Sequence, residues 1–438
     1  MAMSSQAPQS AVQQSSKLKP MATVGTIVVA MLALWLSLTP WSKFQGGEGG
    51  EAFLATQIKW LNSVAKKKYE LPNAACFWQQ GSIINNIPTG PSDPDCLFEV
   101  RDPDFLEVLG VAPTLELVVN TDAHEGGVYF PDTDEFYFAS SRRKLGYLAS
   151  MTSDNKVVHA GDANAEVKKV SLKTGKVSTV FPVTDVANGM ALDNDGNLLI
   201  CQQGKGAKPG YIECVDLKNL NSSIVADNWF GVPFNSPNDV VVKSDGSIWF
   251  TDPSYGRAQG FRAKPQVSNQ VYRISITGVV DAVASDFQQP NGLAFSEDEK
   301  HLYVTDTGFE TGFGDEFDPL KHHHIYVFDI LPDGSLGSRR LFASVGMYDG
   351  SSPGLGVPDG IKIDTKGRVY VGSPDGVQVF SHTGKSLGLI RLPGACNLGF
   401  AGEQLNKLYV LNDKSIRAIK LQATAAGLRY ASRFKHQK

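Results

Sequence analysis

Residues 236–252 read SPNDVVVKSDGSIWFTD. A proline and Asn238 open the stretch, an apolar run follows at 240–242, and Asp245-Gly246 interrupts it. A second apolar run at 248–250 ends in Thr251 and Asp252. Two short β-branched or aromatic runs split by Asp-Gly read as a β-hairpin.

The same pattern returns five more times. Glu125 opens EGGVYFPDTDEFYFASSR, Asn188 opens NGMALDNDGNLLICQQG, and Asn291 opens NGLAFSEDEKHLYVTDTG. Asp359 opens DGIKIDTKGRVYVGSPDG and Asn397 opens NLGFAGEQLNKLYVLND. From Glu125 onward the openings lie 63, 50, 53, 68 and 38 residues apart. A repeat of about fifty residues built from short strands predicts a β-propeller with one blade per repeat, since a parallel solenoid has a shorter period. The expected fold is all-β, a six-bladed β-propeller with an N-terminal transmembrane helix.

In a propeller the first strand of each blade lines the central channel, so six opening residues converge at one mouth. They are Glu125, Asn188, Asn238, Asn291, Asp359 and Asn397, all with side-chain oxygen and none with sulfur or imidazole. An oxygen-only ring with two carboxylates is the donor set of a hard cation such as Ca²⁺. Each Pro-Asn-Gly or Pro-Asp-Gly taken alone reads equally as a turn. Six in register, with an acid at Glu125 where a turn prefers none, favour the ring.

The chain has 438 residues, 42% hydrophobic and 20% charged, with 43 glycines and 23 prolines, which suits a turn-rich β protein with a packed core. A net charge of −4 without a basic face argues against nucleic acid as a partner. Five cysteines are too few for a disulfide scaffold. Cys76 and Cys96 bracket a Pro/Gly-rich loop and could pair. Cys201 and Cys214 fall on consecutive predicted strands of one blade and form a second possible pair, with Cys396 left over. Reduced, buried thiols are the alternative.

Residues 1–20 are Ser/Gln/Ala-rich and read as a disordered tail. Residues 21–40 are nearly all apolar and uncharged, long enough to span a bilayer. Lys17 and Lys19 precede this segment and Glu48 and Glu51 follow, so the positive-inside rule puts the body in a lumen or outside the cell. A signal anchor is favoured over a cleaved signal peptide because no small-residue cleavage site is evident; cleavage would make the protein secreted. Asn221-Ser-Ser is a glycosylation sequon consistent with that side of the membrane. Residues 41–110 read as a linker with a short amphipathic helix at 52–69, 111–423 as the propeller, and 424–438 as a basic tail.

The last repeat supplies three strands where the others show four. The early run LELVVN at 115–120 has no hairpin partner of its own and is expected to complete the last blade. Polar or Gly-rich insertions at 143–164 and 307–324 are expected as loops near the mouth. Strand alternation turns His124 away from the channel, and His322, His323 and His324 read as a solvated loop end, since neighbours on a strand alternate faces. No G-x-S-x-G elbow, P-loop or dinucleotide fingerprint is present, so any hydrolysis falls to a metal.

At 236–255, 289–308 and 357–376 the chain resembles the gluconolactonase / senescence-marker-protein / luciferin-regenerating-enzyme-like family, nearest to the fungal lactonohydrolases, over about residues 100–422. The resemblance implies a six-bladed propeller holding a divalent metal, usually Ca²⁺, with Glu125, Asn291 and Asp359 as ligands. It also implies Asn238 in the metal or substrate shell and Asp359 as catalytic base. Relatives acting on sugar-acid lactones often carry Arg two residues before the asparagine; Ser236 stands there, pointing to a less polar lactone. The expected activity is calcium-dependent opening of a small-molecule lactone. In it Asn188, Asn238 and Ser236 contact substrate, the metal acts as Lewis acid and Asp359 as general base. A non-catalytic propeller with a structural metal and a protein partner, and a paraoxonase-like arylesterase, are the alternatives.

Overall fold

A computed structural model describes residues 74–77, 81–84, 87–89, 96–142, 163–308, 321–348, 353–355 and 357–426. The expected membrane span, the amphipathic helix at 52–69, most of the two insertions and the tail from 427 lie outside these residues. Among the described residues no helix is long and apolar enough to cross a membrane.

The repeated hairpins are the first two strands of six antiparallel blades. The first blade runs from Ala123–Phe130 to Val177–Phe181, the second from Ala187–Leu192 to Ser222–Ala226, and the third from Val240–Val242 to Val280–Ala284. The fourth runs from Pro290–Phe295 to Arg340–Ser344, the fifth from Ile361–Ile363 to Ser386–Arg391, and the sixth from Asn397–Ala401 to Ser415–Lys420. As expected, Leu115–Asn120 closes the ring as the outer strand of the sixth blade, antiparallel to Ser415–Lys420. Inner strands touch in ring order, the sixth meeting the first.

The opening hairpin shows how local chemistry makes a blade. Val240 faces Phe250 and Val242 faces Ile248 across the ladder. Between them the Gly246 N–H bonds the Lys243 carbonyl at 2.9 Å, and Asp245 accepts the Ser247 N–H at 2.9 Å. Gly246 sits at φ 91°, where a side chain is strained, so the Asp-Gly pair is required by the turn.

The core lies between blades. One cluster joins Tyr137 and Val167 of the first blade to Leu198 and Ile200 of the second; others repeat the arrangement around the ring. Trp249 is fully buried against Phe295 of the next blade, its ring nitrogen donating to Ser247 Oγ at 3.0 Å. Burying an aromatic of this size is worth about 3 kcal/mol or more.

The fifth blade carries an extension that sequence reading did not anticipate. Phe98–Val100 adds a strand beside Ser386–Arg391, and Ala75–Phe77 adds another in parallel. Cys76 and Cys96 are disulfide-bonded across this edge. The buried Glu99 carboxylate pairs with Arg101 and Arg391 at 2.8 and 2.9 Å. Cys201 and Cys214 are both free. Cys201 stands opposite Ile212 and Cys214 opposite Leu199, a diagonal too long for a disulfide.

Candidate active site

The blade-opening pairs Asn188-Gly189, Asn291-Gly292 and Asp359-Gly360 are not turns. A Cβ on Gly189 would meet the Asn238 carbonyl at 2.5 Å, one on Gly292 the Asp359 carbonyl at 2.6 Å, and one on Gly360 the Asn397 Cγ at 2.5 Å. Each glycine lets the next blade's opening residue press against its own strand. The openings are therefore neighbours around one mouth of the channel.

A second device locks them there. Asp252 accepts the N–H groups of Asn235 and Ser236 at 2.8 and 2.7 Å, holding the approach to Asn238. Asp306 does the same for Gln288 and Gln289 ahead of Asn291, at 3.1 and 2.8 Å. The threonine before each aspartate reaches onward. Thr251 Oγ donates to the Asn291 carbonyl at 2.6 Å and Thr305 Oγ to the Asp359 carbonyl at 2.9 Å. The Thr-Asp ending of the repeat thus sets one blade's ring residue and braces the next.

At the mouth, Glu125, Asn188, Asn238, Asn291 and Asn397 are each at most 6% exposed, whereas Asp359 is partly open. Asn397 donates to Glu125 Oε2 and accepts the Leu398 N–H at 2.7 Å, so its amide is spent orienting Glu125. Asn291 hydrogen-bonds the Asp359 carboxyl and the Tyr255 hydroxyl, the latter at 3.3 Å. The Asn188 amide donates to the Asn238 backbone carbonyl at 3.1 Å. Ser236 Oγ accepts the Gly256 N–H at 3.0 Å, and its backbone is held by Asp252.

Burial, joined by the neighbouring Asp359 charge, pushes Glu125 up to about 8. Burial, with Asp239 nearby, pushes Asp359 up to about 7, the Asn291 and Glu125 side chains acting in the opposite direction. Buried polar oxygens without a partner gather here as well: Asn238 Oδ1, Asp359 Oδ1 and Asp239 Oδ2. Such orphans are uncommon in a folded protein and call for a missing partner. All are acceptors on hard oxygen atoms, so the set fits a divalent cation such as Ca²⁺ and not a soft metal.

Sequence reasoning missed Asp239 and Tyr255. Asp239 is buried behind Asn238; burial raises its pKa, offset in part by the Lys362 ammonium. Asp239 stands inside the quoted stretch and Tyr255 three residues past its end, but strand alternation gave no reason to single them out. The Nδ1 of His124 lies 2.8 Å from Asp413 Oδ1. Its strand is bulged on both sides of Glu125, which re-aims the two neighbours. The three histidines are not a solvated end. They are half-buried, with His322 Nδ1 2.8 Å from the buried Asp306 carboxylate and His323 Nδ1 2.7 Å from the Val345 carbonyl. Beyond the ring the channel holds an apolar cavity of about 170 Å³ between Met190, Leu293 and Phe400. Its described lining does not include the orphan oxygens, which gather at the mouth.

The sequence profile of the SMP-30/gluconolactonase/LRE-like region matches residues 123–413, from the first ring strand to the last blade.

The chain belongs to this family.

Among SMP-30/gluconolactonase/LRE-like proteins, a gluconolactonase of Zymomonas mobilis is 34% identical over 206 residues, 47% of this chain and 54% of that one, so the match spans about half of that relative. Lactonohydrolase oryL of Aspergillus oryzae is 26% identical over 80% of this chain and 86% of its own. A solved gluconolactonase of Xanthomonas campestris superposes with a TM-score of 0.57 at 27% identity, covering 76% of this chain and 98% of that one.

Proposed function

We propose that this protein is a lactone-hydrolysing enzyme whose reaction takes place at a divalent cation, calcium by its donor set, held by Glu125, Asn238, Asn291 and Asp359. The observation that carries the reading is the pair of orphaned buried oxygens, Asn238 Oδ1 and Asp359 Oδ1, in a ring of oxygen donors. The lactone-opening names of relatives along most of the chain support the reaction class. When bound, the cation polarises the lactone carbonyl and stabilises negative charge on its oxygen.

The chain's own residues then divide the work. Asp359 is the less enclosed of the two ring carboxylates and burial raises it to about 7, so it takes the proton from the attacking water. Glu125, buried and fixed by Asn397, serves as a ligand and not as a base. Asn291, tied to Tyr255, orients Asp359. Asn238 presents its amide oxygen, and Asn188 braces it from the preceding blade. The Ser236 hydroxyl, engaged by Gly256, shapes the adjoining loop.

Chelation tests this directly. Treatment with EDTA abolishes hydrolysis of a lactone panel and added calcium restores it; full activity of the metal-free protein overturns the reading. The apolar segment at 21–40 is proposed as an anchor on sequence grounds alone, and carbonate extraction of membranes carrying the full chain checks it.

A further inference from the structure

Three side chains outside the ring meet where the sixth blade returns to the first. His124 lies in Ala123–Phe130, one residue before Glu125, and Cys396 stands one residue before Asn397. Asp413 lies in the connection between Lys407–Leu411 and Ser415–Lys420. His124 Nδ1 is 2.8 Å from Asp413 Oδ1, and Cys396 Sγ is 3.6 Å from Asp413 Oδ2. One donor atom from each of the three falls within 4.8 Å of the other two. Zinc bonds of about 2.3 Å to sulfur and about 2.0–2.2 Å to nitrogen or oxygen put tetrahedral ligand atoms roughly 3.3–3.7 Å apart, so this set needs little rearrangement to close on one ion.

The backbone holds the three in place. The Asp413 N–H donates to the Ala123 carbonyl at 2.8 Å, and the Cys396 N–H to the Leu411 carbonyl at 2.9 Å. Asp413 sits at φ 66°, in the left-handed region. The Ser141 hydroxyl donates to the Asp413 carboxylate, the outer hydrogen bond that a metal-ligating carboxylate ordinarily carries. Cys396 is buried, while Asp413 is exposed and gives an ion a way in. Imidazole, thiol and carboxylate together suit zinc, whereas calcium takes oxygen alone.

We propose that His124, Cys396 and Asp413 bind a zinc ion, with water in the fourth position. The Cys396 thiol gives up its proton to the buffer as the ion binds, so the ligand is the thiolate. The site uses none of the four residues assigned to calcium and does not depend on the reaction at the ring. It joins side chains 289 residues apart in sequence, so the ion acts as a clasp on the closed propeller.

The test titrates Co²⁺, a spectroscopic stand-in for Zn²⁺, into the calcium-supplemented full chain. A near-ultraviolet thiolate-to-cobalt charge-transfer band develops and is bleached by Zn²⁺. The band is absent in Cys396→Ser and kept in the double variant Cys201→Ser, Cys214→Ser. Loss of a ligand weakens zinc at least as much as loss of an outer hydrogen bond, so competition with a chromogenic chelator shows affinity about tenfold or more weaker in His124→Gln and in Asp413→Asn. Zinc raises the Tm of the wild type and not that of Cys396→Ser. Circular dichroism checks each fold, and the His124→Gln affinity carries the test if Cys396→Ser misfolds. A band that never forms, as when zinc merely replaces calcium on the ring, overturns the site. So does a band that survives Cys396→Ser, or wild-type zinc affinity in His124→Gln and Asp413→Asn.

Discussion

The Thr251 hydroxyl of the third blade donates a 2.6 Å hydrogen bond to the backbone carbonyl of Asn291 in the fourth. Asn291 is thereby held by a blade other than its own, as Asp359 is by Thr305 of the fourth. Thr251→Val keeps the side chain's shape and leaves that carbonyl without its donor, at a cost of about 1–3 kcal/mol. Thermal unfolding is expected to show the loss, and calcium titration a weaker affinity. Wild-type affinity in this variant would make the brace irrelevant to the site.

Asp359→Asn removes the proposed base and one ligand charge. Turnover is expected to fall about 10²–10⁴-fold. Because burial already disfavours this carboxylate, the metal-free variant should unfold no earlier than the wild type. Steady-state kinetics beside calorimetry of the metal-free protein separates the two effects, and an active variant excludes Asp359 as base.

Glu125 and Asp359 carry pKa values raised to about 8 and about 7, so the folded metal-free protein keeps protons that the unfolded chain has already released. The unfolded state binds fewer protons across this window, and stability therefore declines as pH rises. The Tm of the metal-free protein is expected to drop between about pH 5 and about pH 8, with Glu125→Gln flattening the slope. Calcium should oppose the drop, its stabilisation growing with pH as it displaces fewer protons.

Gly360→Ala would place a Cβ 2.5 Å from Asn397 Cγ, on the amide that orients Glu125. Calcium affinity is expected to fall with little change in secondary structure by circular dichroism. The same substitution at Gly278, whose φ is 81° with open space around it, should strain only its own turn and leave affinity alone.

Much of this was legible before coordinates. Strand period, Asp-Gly turns and a fifty-residue repeat are local properties, and they sufficed for six blades and for the strand at 115–120 that closes the ring. Convergence of Glu125, Asn188, Asn238, Asn291, Asp359 and Asn397 follows from the same register. Their inequality does not, because it depends on partners far away in sequence. Asn397 is consumed by Glu125, 272 residues distant, and Ser236 by the Gly256 N–H. The fifth blade's extra strands were hidden for a similar reason: a three-residue segment such as Phe98–Val100 has too little period to read. Cys201 and Cys214 misled because adjacency of strands says nothing of register.

The strand Leu115–Asn120 hydrogen-bonds Ser415–Lys420, three hundred residues later, only five residues before Glu125. A ribosome must therefore release nearly the whole chain before the first acid of the site acquires its final neighbours. During synthesis the early blades wait with an unpaired edge, and a chain stopped short of Ser415 holds no partial catalyst.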